Sequence, residues 1–501
     1  MKRIVAVILF SIVSIFCLAC WLCACGENLG NQNPLDTPHE HVYNAVEYQA
    51  PTCVDVGYEA HFSCSCGKIF DAEKNEIEFS DIEVAATGDH VEGEWVIDKE
   101  ANCVEVGSKH KECITCETVM ESKEIPVTDE HTFVEWTTDI HEHWWLCKYC
   151  HDEFDRGEHK YENRVCDFCE GDKPIYYYTE DEKYICFGEY PQSKVIDDEL
   201  LAALGEMVGA LPNENNPGAW TDYGYLSNNE AKSYSWYIDV TYDYCRYRGV
   251  YFTLYRSRQT KNAPGLNGEQ RTNGYLNETV YWFKYDPIKW RPLSSDSNSA
   301  LLMSDMVLDS HEYFGLTLDD RNIDGKTVHP NNYEYSSLRA WLTTEFYNVA
   351  FDDVEREYIQ LTQVDNSITS TIPGERPEYY GGYTEDYVFV PSIGELTNTS
   401  YGFKSDQTAV DPARQLRPSE YAKAQGLSVQ LDYDYNYDLE DDMPLVEFGC
   451  FYTRSPIGVF EYWEITSPTA AYSIGSTGER AWTVLDLTYE GVVPMLNLKL
   501  A

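Results

Sequence analysis

Apolar and polar positions change rhythm several times along this chain. Lys2 and Arg3 precede an apolar run from Ile4 to Leu22, too long and too apolar for a soluble surface element. The segment YICFGEYPQSKV, residues 184–195, reads as a strand running into a turn. Residues 278–310, ETVYWFKYDPIKWRPLSSDSNSALLMSDMVLDS, give several short β runs with turn signals between them. Helical spacing then takes over. In YSSLRAWLTTEFYNVAF the apolar residues Leu338, Trp341, Leu342, Phe346 and Val349 recur on one face, with Ser336 or Ser337 as the cap. Asp352 and Glu355 form a capping-box signature for a second helix, and Phe351 is placed to staple it. A third short helix, SEYAKAQGL, stops at Gly426. Strands return in CFYTRSP and in AWTVLDLTYEGVVPMLNLKL.

The N-terminal run is an export signal by its charged start and apolar body. Its length also leaves an uncleaved membrane anchor open. Leu22-Cys23-Ala24-Cys25-Gly26 resembles a bacterial lipobox, which implies a lipid on Cys25 and a mature chain starting there. Residues 26–38, GENLGNQNPLDTP, form a flexible tether. The expected location is therefore the outer side of the cell membrane, lipid-anchored, with the membrane as a partner through that lipid.

Composition narrows the function. The chain has 501 residues, enough for several domains, and a formal net charge of -48. Such charge excludes attraction to nucleic acid or to anionic lipid as the main function. Forty tyrosines and twelve tryptophans favour β structure with long loops.

Between His39 and Cys169 the sequence repeats. PTCVDVGYEAHFSCSCGKIF and ANCVEVGSKHKECITCETVM align with Cys53 and Cys103 fifty residues apart, as are Gly57 and Gly107. Each of the first two units has three cysteines: Cys53, Cys64 and Cys66, then Cys103, Cys113 and Cys116. Three thiols cannot pair within one small unit. With one imidazole they complete a tetrahedral zinc set. His90 is that imidazole for the second unit. For the first unit His41, His61 and His90 stay open, with His41 standing before Cys53 as His90 stands before Cys103. The third unit, from His131, holds Cys147, Cys150, Cys166 and Cys169 as CxxC-x15-CxxC, a zinc-ribbon spacing. Its other histidines, His141, His143, His151 and His159, are expected to face solvent or to support the ligands, with room for one to replace a cysteine. Disulfides between units remain the rival, since export favours them. The expected organisation is a signal at 1–25, a tether at 26–38, repeats at 39–90, 91–130 and 131–172, and a C-terminal domain at 175–501.

The array resembles short Cys/His repeats next to the membrane in exported bacterial surface proteins. That resemblance implies a stalk of β-rich modules. Downstream, FGEYPQ (187–192), PIKWRPL (287–293), SSLRAWLT (336–343), PSEYAKAQG (418–426), FYTRSP (451–456) and GVVPMLNLKL (491–500) stand in order. They resemble the landmarks of an uncharacterised domain family of exported bacterial proteins. More distantly, the layout resembles the C-type-lectin-like fold shared with formylglycine-generating enzymes. The resemblance implies a multidomain chain: zinc-ribbon-like repeats, then a larger α+β, C-type-lectin-like domain. Val493 stands where the family has Arg, and Thr453 where it has Leu.

Catalytic signatures are missing. Cys186, Cys245 and Cys450 are far apart, and no GxSxG, HExxH or P-loop occurs. Cys450 reads as a small apolar core residue. Asp320, Asn322 and Asp324 with Gly325 begin like an EF-hand loop, so calcium is a candidate, as it is for the alternating acids of 432–438. A solvated acidic loop is the plainer reading of both. The expected function is binding of a cell-surface glycan or protein ligand. A cell-envelope-modifying enzyme and a structural spacer are the alternatives.

Overall fold

The computed structural model describes residues 40–213, 215–223, 235–252, 275, 278–315, 318–367, 381–427, 429–431, 447–457, 469–485 and 490–500. The export signal, Cys25, the tether and the acids of 432–438 lie outside the described residues. Among the described residues no helix is long and apolar enough to cross a membrane. The chain forms two compact units: Met1–Thr132 with Lys148–Cys150, and Phe133–Cys147 with His151–Ala501.

The first unit is built from small antiparallel sheets. One joins Asn44–Val46, His61–Ser63, Ile69–Phe70 and Glu76–Ile77; another joins Glu92–Lys99, Gly107–Cys113 and Val119–Ile125. Neither has a sizeable core. Among the described residues the buried apolar side chains of this unit are Cys53, Cys64, Phe70, Ile82 and Cys113, and three of these are thiols. The Trp95 ring is covered by the ammonium groups of Lys109, Lys111 and Lys123 at 4.8, 5.3 and 5.0 Å. Burial this thin does not offset the ordering entropy of such short modules, so another linkage is required.

The repeated glycines have a common cause. A Cβ at Gly57 would sit 2.3 Å from the Gln49 carbonyl oxygen, and one at Gly107 would sit 2.5 Å from that of Lys99. Both mark the point where a new strand starts against the preceding segment.

The second unit contains the last repeat and the C-terminal domain. The repeat part is a sheet of Phe133–Thr138, Glu142–Cys147 and Glu153–Glu158, with Trp136 stacked on Trp145 at 4.3 Å. It is fixed to the domain by charge. Arg164 bonds Asp352 and the carbonyls of Lys173 and Pro174, and Lys173 pairs with Glu189.

A nine-stranded antiparallel sheet dominates the domain. Its long strand Val280–Ser295 pairs with Cys245–Phe252 on one edge, with Ser299–Ser304 along its second half, and with Ile185–Lys194. A five-stranded sheet contains Phe451–Pro456, Ala470–Ile474 and Arg480–Val484. The landmark residues meet in the core. Trp290 is fully buried and donates its indole N–H to the Phe187 carbonyl at 2.8 Å, and Phe187 stacks on Phe351 at 5.0 Å. Gly188 has φ 68°, and a Cβ there would lie 2.5 Å from the Phe351 ring. The FG pair of FGEYPQ is therefore demanded twice, by conformation and by space. Thr453 donates to the Tyr472 carbonyl at 2.8 Å, while buried Arg454 bonds Glu395 at 2.5 and 2.9 Å. Val493 is fully buried, so an apolar side chain fits there.

The helical expectations hold with one refinement. Ser336 caps Ser337–Trp341, but Leu342–Phe346 then widens to a π turn before Tyr347–Ala350. Asp352 and Glu355 form the capping box, and Gly426 takes φ 102° after Glu420–Ala424. The helix Asp198–Val208, capped by Asp197, was not anticipated although Leu200, Leu201, Leu204 and Val208 carry helical spacing. It closes a second apolar cluster around Trp220, Trp236 and Trp282.

Gly188→Ala is expected to lower the stability of this domain by about 2 kcal/mol or more, from strain and overpacking together. Chemical denaturation followed by tryptophan fluorescence measures it.

Candidate metal centres and a candidate binding cleft

Each cysteine pair lies on one recurrent turn. After Cys113 the Glu117 N–H returns to the Cys113 carbonyl, and after Cys166 the Glu170 N–H returns to the Cys166 carbonyl, both at 2.9 Å. Glu117 and Glu170 have φ 56° and 59°. The same turn follows Cys147, closed by His151 at 3.0 Å. In the first repeat, Cys64-Ser65-Cys66 makes it one residue shorter, with Gly67 (φ 87°) donating to the Cys64 carbonyl. The backbone of these turns aims two thiols at one point.

The remaining donors are recruited in a way that spacing alone does not reveal. Among the described residues, four sets bring their ligand atoms within 4.8 Å of one another. Cys53, His90, Cys113 and Cys116 make one; His143, His159, Cys166 and Cys169 make another; His41, Cys64 and Cys66 make a third; Cys103, His131 and Cys150 belong to the last. Thus Cys53 leaves its own repeat and joins the cysteines of the next. Cys103 likewise leaves Cys113 and Cys116.

Strand geometry explains this departure. Cys103 precedes and Cys113 ends the seven-residue strand Gly107–Cys113. At about 3.3 Å per residue, the ends of that strand lie roughly 20 Å apart. The turn carrying each lone cysteine instead anchors the next histidine. Thr87 donates its N–H to the Thr52 carbonyl at 3.0 Å, and Thr128 does so to the Asn102 carbonyl at 3.1 Å. Those two bonds deliver His90 to Cys53 and His131 to Cys103. In the second unit the His159 N–H bonds the His141 carbonyl at 3.0 Å, and His143 takes the place of the lone cysteine.

The donor distances suit a tetrahedral ion. Cys53 Sγ and Cys113 Sγ are 3.7 Å apart. Bonds of about 2.3 Å at tetrahedral angles put two sulfurs about 3.8 Å apart, whereas a disulfide needs about 2.05 Å. His90 Nδ1 lies 3.2 Å from Cys116, His131 Nδ1 3.3 Å from Cys150, and His159 Nδ1 3.4 Å from Cys169. His41 Nδ1 is 3.5 Å from both Cys64 and Cys66. None of the described cysteines is in a disulfide. His159 Nε2 donates to the Asp139 carbonyl at 2.9 Å, which leaves its Nδ1 lone pair for the thiols. His143 is buried, stacked on Phe168 and edge-on to Trp136, and that burial lowers its pKa and keeps it a neutral donor.

Backbone donors prepare the thiolates. The N–H groups of Thr115 and Cys116 hold the Cys113 thiol down to about 5. At Cys166 burial opposes ionisation, but the N–H groups of Cys169 and Phe168 and the His159 ring bring it to about 6. Burial, then its bonds to Cys116 and Cys113, push Cys53 up to about 11. The centre thus presents ionised and protonated thiols together, the state that a dication would convert by displacing protons.

Several sequence expectations are corrected. Cys147, Cys150, Cys166 and Cys169 do not form one ribbon; a hairpin separates the pairs, and Cys166–Cys169 takes His143 and His159 instead. Two histidines, not one, thereby enter a set. His61 bonds the Glu59 carbonyl and His141 packs edge-on against Tyr177. The Asp320–Asp324 segment does not wrap a calcium site. Arg321–Ile323 and Lys326–Val328 form a tight hairpin whose turn is Asp324-Gly325, at φ 52° and 78°. Asn322 there accepts from the Gly325 N–H, and Asp320 pairs with His329 at 2.7 Å. Asn331, the twelfth position, is buried and bonds the Ile457 and Ala470 carbonyls.

A cleft of about 310 Å³ opens in the C-terminal domain between the large sheet and the π-widened helix. Its walls include Tyr190, Tyr237, Trp341 and Tyr421 with the polar groups Arg248, Asp309, His311 and Glu345. Tyr190 donates to Asp309 at 2.5 Å, and Arg248 grips Asp239 through two bonds of 2.7 Å. Crowding by the cleft walls raises the Glu345 carboxyl above its ordinary pKa; His311 opposes the shift and Asp309 adds to it. The sequence offered Trp341 and Phe346 only as core residues. No motif marked Arg248 or Glu345, because strands and a helix distant in sequence bring them together.

Residues 297–500 match the family described as Domain of unknown function (DUF6273). FGEYPQ and PIKWRPL lie outside that match, yet Phe187, Tyr190 and Trp290 pack into the same core. No curated protein and no solved structure matches the chain.

Cys53→Ser and Cys64→Ser are expected to remove different ions, readable by native mass spectrometry of zinc-loaded chains. Acidification should release the metal. A thiol whose pKa is depressed in the fold stabilises it above the ordinary value of about 8.5, and that contribution is lost as pH falls through the folded pKa. With Cys113 at about 5 and Cys166 at about 6, release is expected between neutrality and pH 5, measured by a colorimetric zinc indicator.

Proposed function

We propose that this chain is an exported, lipid-anchored surface protein that binds an extracellular ligand, carbohydrate or protein, through its C-terminal domain. The cleft carries that reading: it combines aromatic walls with a few convergent polar groups, as small-ligand sites do. In this reading the Cys/His repeats bind zinc and form the stalk. The support is the tetrahedral spacing of their donors and the thin apolar burial of the modules. A C-type-lectin-like identity for the domain rests on the order of its landmarks. A second reading, a cell-envelope-modifying enzyme, draws on the raised Glu345 carboxyl beside Asp309 and His311.

A glycan array combined with a hydrolase and transferase screen separates the two. Binding without turnover, weakened about tenfold or more by Trp341→Ala through loss of a stacking face, is the expected result. Turnover abolished by Glu345→Gln would replace it with the enzyme reading.

A further inference from the structure

The set of His143, His159, Cys166 and Cys169 stands apart through what its segment touches. Both cysteines belong to residues 160–174, where the two-residue strands Tyr161–Glu162 and Val165–Cys166 pair. Cys166 is the one buried side chain of that segment. Its turns hold Asn163, Arg164 and Glu170 at φ 49°, 68° and 59°, a left-handed backbone that side chains disfavour. Apolar burial does not hold so short and strained a hairpin, whereas an ion on two thiols and two imidazoles would. Yet this hairpin is bonded to the C-terminal domain at several points. Lys160 pairs with Asp243 at 2.7 Å, and Asp167 accepts from the Tyr244 hydroxyl at 2.6 Å. Arg164, at the hairpin turn, bonds the Asp352 carboxylate and lies 3.5 Å from that of Glu355. Its other terminal nitrogen donates to the Lys173 and Pro174 carbonyls at 2.9 and 3.2 Å. Asp352 is the cap of its helix. One oxygen accepts the N–H groups of Val354 and Glu355 at 3.0 and 2.9 Å, and the other faces Arg164. Burial alone would raise this carboxyl; the Glu355 N–H and the Arg164 guanidinium outweigh it and hold it below its ordinary pKa. The Arg356 N–H closes the turn on the Asp352 carbonyl at 3.0 Å. The helix Tyr347–Ala350 ends two residues before Asp352 and lines the cleft with Asn348 and Val349.

Resting on the zinc reading above, we propose that the ion of this set braces the C-terminal domain as well as its own repeat. Zinc on His143, His159, Cys166 and Cys169 holds the hairpin in the form that presents Arg164, and Arg164 holds the cap at Asp352. Arg164 is the positioning residue between the two. Zinc binding and closure of the cap are then coupled, and the coupling acts in both directions. The set of Cys53, His90, Cys113 and Cys116 lies in the other compact unit and serves as the control.

Hydrogen exchange of the full, zinc-loaded chain, read at the Val354, Glu355 and Arg356 amides, tests this, with native mass spectrometry counting the zinc. Cys169→Ser should lose one zinc and speed exchange at these amides about tenfold, the effect of losing a charge-assisted hydrogen bond. Cys116→Ser should lose one zinc and leave them unchanged. Arg164→Met should keep its zinc and show the same acceleration, with no further gain when Cys169→Ser is added. The strand Val280–Ser295 should exchange at its usual rate in every variant. Zinc loss in Cys169→Ser with unchanged exchange at 354–356 would overturn the brace and leave the zinc reading standing. So would an equal acceleration in Cys116→Ser, or a Cys169→Ser effect that persists in full beside Arg164→Met. Equal acceleration in Val280–Ser295 would overturn it too, since that is general unfolding. A Cys169→Ser chain with the full zinc count would overturn the zinc reading of this set, and the brace with it.

Discussion

A single side chain from each repeat reaches into the next. Cys53 sits with His90, Cys113 and Cys116, and Cys103 sits with His131 and Cys150. Everything else in the first unit follows from this displacement. Modules whose buried apolar side chains are mostly thiols cannot hold a fold by burial. An ion bound by such a set would hold the module and join it to its neighbour in one step. The backbone sets up this junction. Thr87 and Thr128 bond back to the turns that carry Cys53 and Cys103, so each histidine is delivered to the cysteine of the preceding repeat.

In the C-terminal domain burial dominates. Trp290, Phe187 and Phe351 pack so closely at Gly188 that a methyl group has no room. That rigidity positions the cleft. Tyr190 projects from the strand bearing Gly188, Trp341 and Glu345 from the helix that ends near Phe351, and Tyr421 from the short helix capped by Ser419. The last repeat belongs to the same compact unit, through Arg164 on the capping box of Asp352 and Glu355. The C-terminal domain and the last repeat are thus one compact unit.

The sequence made local features legible and long-range ones obscure. The cap at Ser336 or Ser337, the capping box of Asp352 and Glu355 and the stop at Gly426 could be read because their chemistry spans three or four residues. The odd thiol count signalled coordination for the same reason that it signals disulfides: three donors need a fourth partner. Which partner they take was not legible. CxxC-x15-CxxC matched a ribbon by spacing, but the hairpin inside it separates the pairs, and His143 and His159 looked like surface residues in a polar stretch. The alternating acids of Asp320–Asp324 imitated a calcium loop because a strand and an ion-binding loop both place oxygens at every second residue. The Asp324-Gly325 turn decided for the strand. The cleft was invisible, since Arg248, Asp309, Glu345 and Tyr421 are scattered over more than a hundred and seventy residues.

The central claim is coordination that crosses the repeat boundary, and cadmium NMR of the cadmium-substituted chain tests it most directly. Through-bond correlations report which cysteine β-protons share an ion. The account predicts one cadmium resonance coupled to Cys53, Cys113 and Cys116 together. A resonance joining Cys53 to Cys64 and Cys66, with Cys103 on the ion of Cys113 and Cys116, would contradict it.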